Sequence, residues 1–270
     1  MNKKILIIAL SVIVVVAIFV TLGFRKTAGV IKPNKNHFTV HSLLNQARQL
    51  EIKGELLEAK SIYQKLVNEF TESPEVANWQ KRVEDINIKL LFSPAITPKS
   101  MVYQIKPGDT INKIAREYKT TPELIMKSNN ISDSLIIPGR KIKIWNVTIS
   151  IFVDKSQNIM LLKSDEEVIK TYIVSTGKDN CTPVGVFKIV NKLANPTWFK
   201  AGAVVSSGSP ENVLGTRWMG FDLAGYGIHG TTEPKDLGKQ VTQGCVRLSN
   251  SDVEELYNIV PTGTEVSIVE

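Results

Sequence analysis

The sequence predicts a multidomain chain: an N-terminal transmembrane helix within residues 1–25, a small all-α spacer over 37–92, a βααβ module over 101–145 and a predominantly β domain over 147–270. Three observations carry that reading. The run Ile5 to Phe24 holds no charged residue. From Phe38 to Leu91 the apolar residues recur at helical spacing, and from Val147 onward they fall in short strand-like runs separated by glycine-rich stretches.

The first element is read from length and flanks. A bilayer core about 30 Å thick needs about 20 helical apolar residues, and Lys3, Lys4, Arg25 and Lys26 bracket the run. It exceeds the usual apolar core of a secretory signal and lacks a small-x-small cleavage site at its end. A retained single-pass anchor is therefore expected, with the membrane as a partner and the cell membrane as the location. Basic residues lie on both sides of the run, so charge alone does not orient it.

In the spacer, Leu43, Leu44, Ala47 and Leu50 form one stripe, Gly54 interrupts it, and Leu57, Ile62, Leu66 and Phe70 form a second. Pro74 can open a third helix carrying Val76, Trp79, Val83, Ile86 and Leu90. Ala47, Gly54, Ala59, Tyr63 and Pro74 resemble the spacing of a tetratricopeptide-like helical pair, although only one repeat is visible. A plain spacer and a groove for a protein partner are both compatible with this pattern. Ser93-Pro94 and Thr97-Pro98 then read as a short rigid linker.

The next stretch reads strand, helix, helix, strand. Val102 to Ile105 is a strand, Asp109 or Thr110 caps a helix with Ile111, Ile114, Ala115 and Tyr118 inside, and Thr121-Pro122 opens a second helix. Pro138-Gly139 turns into the closing strand Lys141 to Ile144. YQIKPGDTINKIAREY, TPELIMKSNN and LIIPGRKIKI together resemble a LysM module. That resemblance implies binding to N-acetylglucosamine-containing glycans of peptidoglycan, through Gly108-Asp109-Thr110 and the segment 130–138.

The last stretch shows strands, one helical run at Asp252 to Tyr257 and a final strand at Glu265 to Val269, with no βαβ alternation. Lys+Arg is 33 against Asp+Glu 26, a net charge of +7. The excess suits an anionic surface such as a wall, and no basic block with interleaved aromatics points to nucleic acid. Two cysteines exclude a disulfide scaffold, and three histidines leave little for a metal site, so no cofactor and no metal is expected.

The chemistry gathers in Thr242-Gln243-Gly244-Cys245-Val246-Arg247. A cysteine is often only a small buried hydrophobe. Here Gly244 permits a tight turn where amides converge, and Arg247 supplies a cation able to lower the thiol pKa or hold a substrate carboxylate. His229, between Gly227 and Gly230 two residues apart and one, is the sole histidine of this domain. It is either a satisfied core residue or the base that takes the thiol proton, with the Gly230 carbonyl as the nearest group to orient its ring.

YGIHGTTEPKDLGKQVTQGCVRLSN, together with TGKDNCTPVGVFKI, resembles the catalytic domain of the YkuD-type L,D-transpeptidases. The resemblance implies that Cys245 is the acylated nucleophile, His229 its base, Gly230 the carbonyl that steadies the ring and Gly244 the turn glycine beside the oxyanion hole. It further implies Thr242 and Arg247 as substrate-binding residues of the motif. Tyr226 and Trp218 are aromatics expected along the substrate groove. The implied activity is 3→3 cross-linking of peptidoglycan stem peptides through a thioester, outside the cytoplasmic membrane. One position departs from the common motif: Gln243 stands where many members carry histidine. Cys181 has no implied role; pairing with Cys245 would disable the nucleophile.

Overall fold

The computed structural model describes residues 35–133, 135–200 and 202–270. The chain divides after Ile86 into two units.

In the first unit, α1 (Lys35–Lys53) and α2 (Leu56–Glu69) are followed by α3 (Val76–Phe92), which continues past the division. Gly54, at φ +80°, supplies the left-handed turn that ends α1. Ala47 of the first expected stripe and Val76, Trp79, Val83 and Ile86 of the third are buried; in α2 the buried face is Ala59, Tyr63 and Leu66, while Leu57 of the expected stripe is exposed. Glu51 ties the three helices together: it accepts from Tyr63 Oη at 2.8 Å and pairs with Arg82.

The expectation of a membrane-spanning helix is corrected here, and with it the membrane partner and the cell-membrane location. No helix among the described residues is long and apolar enough to cross a membrane. The 19-residue α1 carries Arg48, Glu51 and Lys53, charges that a single helix cannot bring into lipid. The run on which the expectation rested, residues 5–24, lies outside the described residues.

The second unit begins with the end of α3 and the βααβ module: β1 (Ser100–Gln104), α4 (Ile111–Glu117), α5 (Pro122–Ser128) and β2 (Lys141–Trp145). The strands pair antiparallel with Tyr103 opposite Ile142. Thr110 caps α4 by accepting from Lys113 N, and Thr121 caps α5 by accepting from Leu124 N. Asp109 instead accepts from Tyr103 Oη and Lys106 N.

The β domain follows as β3 (Ile149–Asp154), β4 (Ile159–Ser164), β5 (Glu167–Ile173), β6 (Thr176–Gly177), β7 (Gly185–Ala194), β8 (Trp198–Lys200), β9 (Ala203–Val205), β10 (Arg217–Phe221), β11 (Gly227–His229), β12 (Gln240–Thr242), β13 (Val246–Arg247), α6 (Asn250–Ile259) and β14 (Glu265–Val269). Eight strands form one sheet in the order β13-β11-β10-β7-β14-β3-β4-β5. Most neighbours are antiparallel, but β14 runs parallel to β3 and β11 parallel to β13. Val253, Leu256 and Ile259 of α6 are fully buried in the same core as Ile228, Met219 and Val246 of the sheet.

The βααβ module is not an independent bead on this unit. Leu124 and Trp145 belong to the β-domain core rather than to the module's own cluster. Trp145 Nε1 donates to Leu91 O at 3.1 Å, and Lys143 Nζ donates to Leu90 O and Ser93 O, both at 2.8 Å. Burial pulls the Lys143 ammonium down to about 8. Trp145→Ala is expected to cost about 3–5 kcal/mol, because it removes an aromatic side chain from a shared core. Chemical denaturation of the full chain measures that loss; a change below about 1 kcal/mol contradicts the shared core.

Candidate active site

The parallel pair β11–β13 builds the site. Its register sets Ile228 opposite Val246 and His229 opposite Arg247. Ile228 and Val246 are fully buried and face the core. Alternation along a strand then places Gly227, His229, Cys245 and Arg247 on the opposite side of the sheet. Cys245 immediately precedes β13; a Cβ at Gly227 would lie 2.5 Å from Met219 O and 3.0 Å from the Trp218 ring, so glycine there lets β11 lie close against β10.

The turn before Cys245 is shaped by two residues. Gly244 has φ +117°, and a Cβ there would sit 2.6 Å from Tyr226 Cε1, so both conformation and the Tyr226 ring demand glycine. Thr242 Oγ1 accepts from Gly244 N at 3.2 Å and donates to Cys245 O at 2.7 Å. Thr242, expected to meet substrate, is 4% exposed with its hydroxyl committed inside the turn. Gly244→Ala is expected to lower thiol acylation at least about tenfold and to destabilise the fold by about 1–3 kcal/mol. Acylation kinetics beside a melting curve checks both; an unperturbed alanine variant contradicts this account of the turn.

His229 is 4% exposed, and its Nδ1 lies 2.7 Å from Gly230 O. A carbonyl only accepts, so Nδ1 carries the proton and Nε2 is left with its lone pair. Trp218 pairs with His229 across β10–β11 and stacks on its ring at 6.0 Å between centroids. Trp218, expected along the groove, thus packs the imidazole, and its own Nε1 donates to Asn191 Oδ1 at 3.0 Å. Burial draws the imidazole from its ordinary 6.5 down to about 4; the Gly230 hydrogen bond opposes this and Arg247 adds to it. The ring is therefore neutral at pH 7.

Cys245 is partly exposed and its thiol points at Gly225 O, 3.6 Å away. Burial raises the thiol above its ordinary value. The Gly227 backbone and the Arg247 charge pull it the other way without offsetting burial. The expected lowering by Arg247 is real but smaller than desolvation, so the resting pair is a neutral thiol and a neutral imidazole. Cys181 is a second free thiol and is exposed.

Arg247 is held by its backbone, which exchanges hydrogen bonds with Ser175 at 2.8 and 2.9 Å. The residue is 9% exposed; its side chain reaches Glu233 at 3.5 Å, while its buried Nε has no partner. Among the described residues no group of three or more His, Cys, Asp or Glu side chains is arranged to hold a metal ion.

A family model for the L,D-transpeptidase catalytic domain matches residues 148–268, and one for the LysM domain matches 103–145. The YkuD protein of Bacillus licheniformis, which carries an L,D-transpeptidase name, is 36% identical over 62% of this chain and 98% of its own length. This chain belongs to the YkuD-type L,D-transpeptidase family. The YkuD protein of Bacillus subtilis is 34% identical over 62% of this chain and 98% of its own. The solved catalytic domain of the Enterococcus faecium L,D-transpeptidase aligns at 27% identity with a TM-score of 0.38, covering 45% of this chain and 96% of that one. At the level of its family, this L,D-transpeptidase is a cysteine-dependent acyltransferase that cross-links peptidoglycan, with a LysM domain ahead of the catalytic domain.

Proposed function

We propose that Cys245 is the nucleophile of this transpeptidase and His229 its general base, and that the donor is a tetrapeptide stem. The observation that carries the reading is the shared face of β11 and β13, with His229 Nδ1 bonded to Gly230 O so that Nε2 is the free base. The Cys245 Sγ attacks the carbonyl joining residue three of the stem to terminal D-Ala, and its proton passes to His229 Nε2. The tetrahedral oxyanion needs amide donors. Because Gly244 N already donates to Thr242, the Cys245 amide is the proposed donor. As the C–N bond breaks, His229 Nε2–H protonates the departing D-Ala amine and a thioester remains. The side-chain amine of residue three in a neighbouring stem then attacks the thioester, gives its proton to His229 and releases the thiol, leaving a 3→3 cross-link. Water in place of that amine yields an L,D-carboxypeptidase product.

Arg247 is assigned to the substrate. A buried guanidinium nitrogen without a partner is costly, and a substrate oxygen relieves it. Tyr226, set against Gly244, forms the wall beside the nucleophile. Gly230 acts through its carbonyl, and Trp218 and Thr242 act through the histidine ring and the turn. The LysM loops Gly108 to Thr110 and 130–138 are proposed to hold the glycan strand, which places stems near the catalytic domain. Incubation with purified disaccharide-tetrapeptide tests the reaction. Cross-linked dimer with released D-Ala is expected; tripeptide alone means water is the acceptor, and unchanged tetrapeptide contradicts the assignment.

A further inference from the structure

We propose that Asn250 is a positioning residue for His229, fixing the plane of the Gly230–Thr231 peptide whose carbonyl orients the imidazole. This rests on the assignment of His229 as the base. Within that one peptide group, the Gly230 oxygen bonds His229 Nδ1 at 2.7 Å, and the Thr231 N–H donates to Asn250 Oδ1 at 3.1 Å. A peptide group is planar, so holding its N–H fixes the direction of its C=O. The same Oδ1 accepts from Thr216 N at 3.2 Å, the residue that leads into β10 and the Trp218 ring stacked on His229. Gly230 N donates to Arg217 O at 3.2 Å. One side-chain oxygen therefore closes the open end of the β10–β11 ladder on both strands.

Two further observations support the clamp. A Cβ at Gly230 would collide with Asn250 Oδ1, so glycine there is a requirement of this side chain; at Gly215 the same oxygen, the Thr231 backbone and a φ of +62° all demand glycine. Gly230 itself does not adopt a left-handed conformation, and close approach is the reason for glycine there. Asn250 is also rigidly mounted. It opens α6, whose cap Ser249 Oγ accepts from Asp252 N at 3.1 Å and whose Val253, Leu256 and Ile259 are fully buried. Both amides donating to one atom identify that atom as the side-chain oxygen.

Removal of the oxygen frees the peptide plane, and the imidazole loses both its tautomer and its aim. The test uses the full-length chain and a carbapenem, whose strained lactam carbonyl acylates a cysteine. Asn250→Ala is expected to lower the limiting acylation rate about 100-fold, since displacements near 1 Å have that cost, with little change in half-saturating carbapenem. Asn250→Asp retains the acceptor and is expected to recover to within about fivefold of the parent. Nitrogen NMR of labelled histidine should show a single Nδ1–H tautomer at His229 in the parent and a mixture in Asn250→Ala. Parent-like rate and tautomer in a folded Asn250→Ala overturn the proposal, as do equal losses in the Ala and Asp variants. If Asn250→Ala does not fold, Asn250→Ser, too short to reach both amides, carries the same comparison. A parent protein that is not acylated at Cys245 refutes the assignment of the nucleophile instead, which separates the two failures.

Discussion

Cys245→Ala is expected to leave a folded protein that forms no covalent adduct with a carbapenem and releases no D-Ala from a tetrapeptide stem. The side chain is small and partly exposed, so its loss costs the fold about 1 kcal/mol or less. In the proposed mechanism its loss removes the sulfur that carries the thioester. Cys181 is the second thiol of the chain and is exposed, so peptide mapping must accompany intact mass. An adduct on Cys181 alone, in either protein, would move the nucleophile and contradict the site.

His229→Ala is expected to lower the acylation rate at pH 7 by about 10²–10⁴-fold. The reason lies in the two titrations. Burial keeps the thiol protonated at neutral pH and keeps the imidazole neutral down to about 4. The competent state is thus the neutral pair, present from above the histidine value to below the thiol value. The parent rate should be flat between about pH 5 and 8 and fall only as pH drops through about 4, where His229 takes a proton. Without the imidazole, only pre-formed thiolate reacts, so the variant's rate should climb about tenfold per pH unit until the thiol titrates. Stopped-flow acylation across pH separates these profiles. A parent limb near 6.5 would mean that the ring is solvated, and a pH-independent variant would mean that His229 is not the base.

Much of this arrangement is legible in the sequence. The βααβ module is punctuated by local signals: Thr110 and Thr121 cap helices and Pro138-Gly139 turns the chain, so its elements follow from residues close in sequence. Cys245 and His229 are legible as candidates from residue types, but the geometry that positions them is not. It depends on a parallel register between β11 and β13, and short parallel strands linked by a long loop leave no periodic trace. Periodicity also shows that a face is buried without saying against what. Leu124 and Trp145 read as module residues, yet they complete the β-domain core. The thiol illustrates a conflict of magnitudes: Arg247 acts in the expected direction and desolvation outweighs it. Asn250 reads as an ordinary residue at a helix start, and only the convergence of Thr216 and Thr231 on its oxygen gives it a role. Hydropathy predicts the membrane helix in a stretch outside the described residues, and no described helix is long and apolar enough to cross a membrane.

The most direct measurement is rapid-quench mass spectrometry of the full-length chain with disaccharide-tetrapeptide, followed by peptide mapping. The account predicts a transient adduct with the mass of the stem less D-Ala, carried by the peptide containing Cys245 and cleaved by hydroxylamine as a thioester. Turnover of the stem with no adduct on that peptide would contradict it.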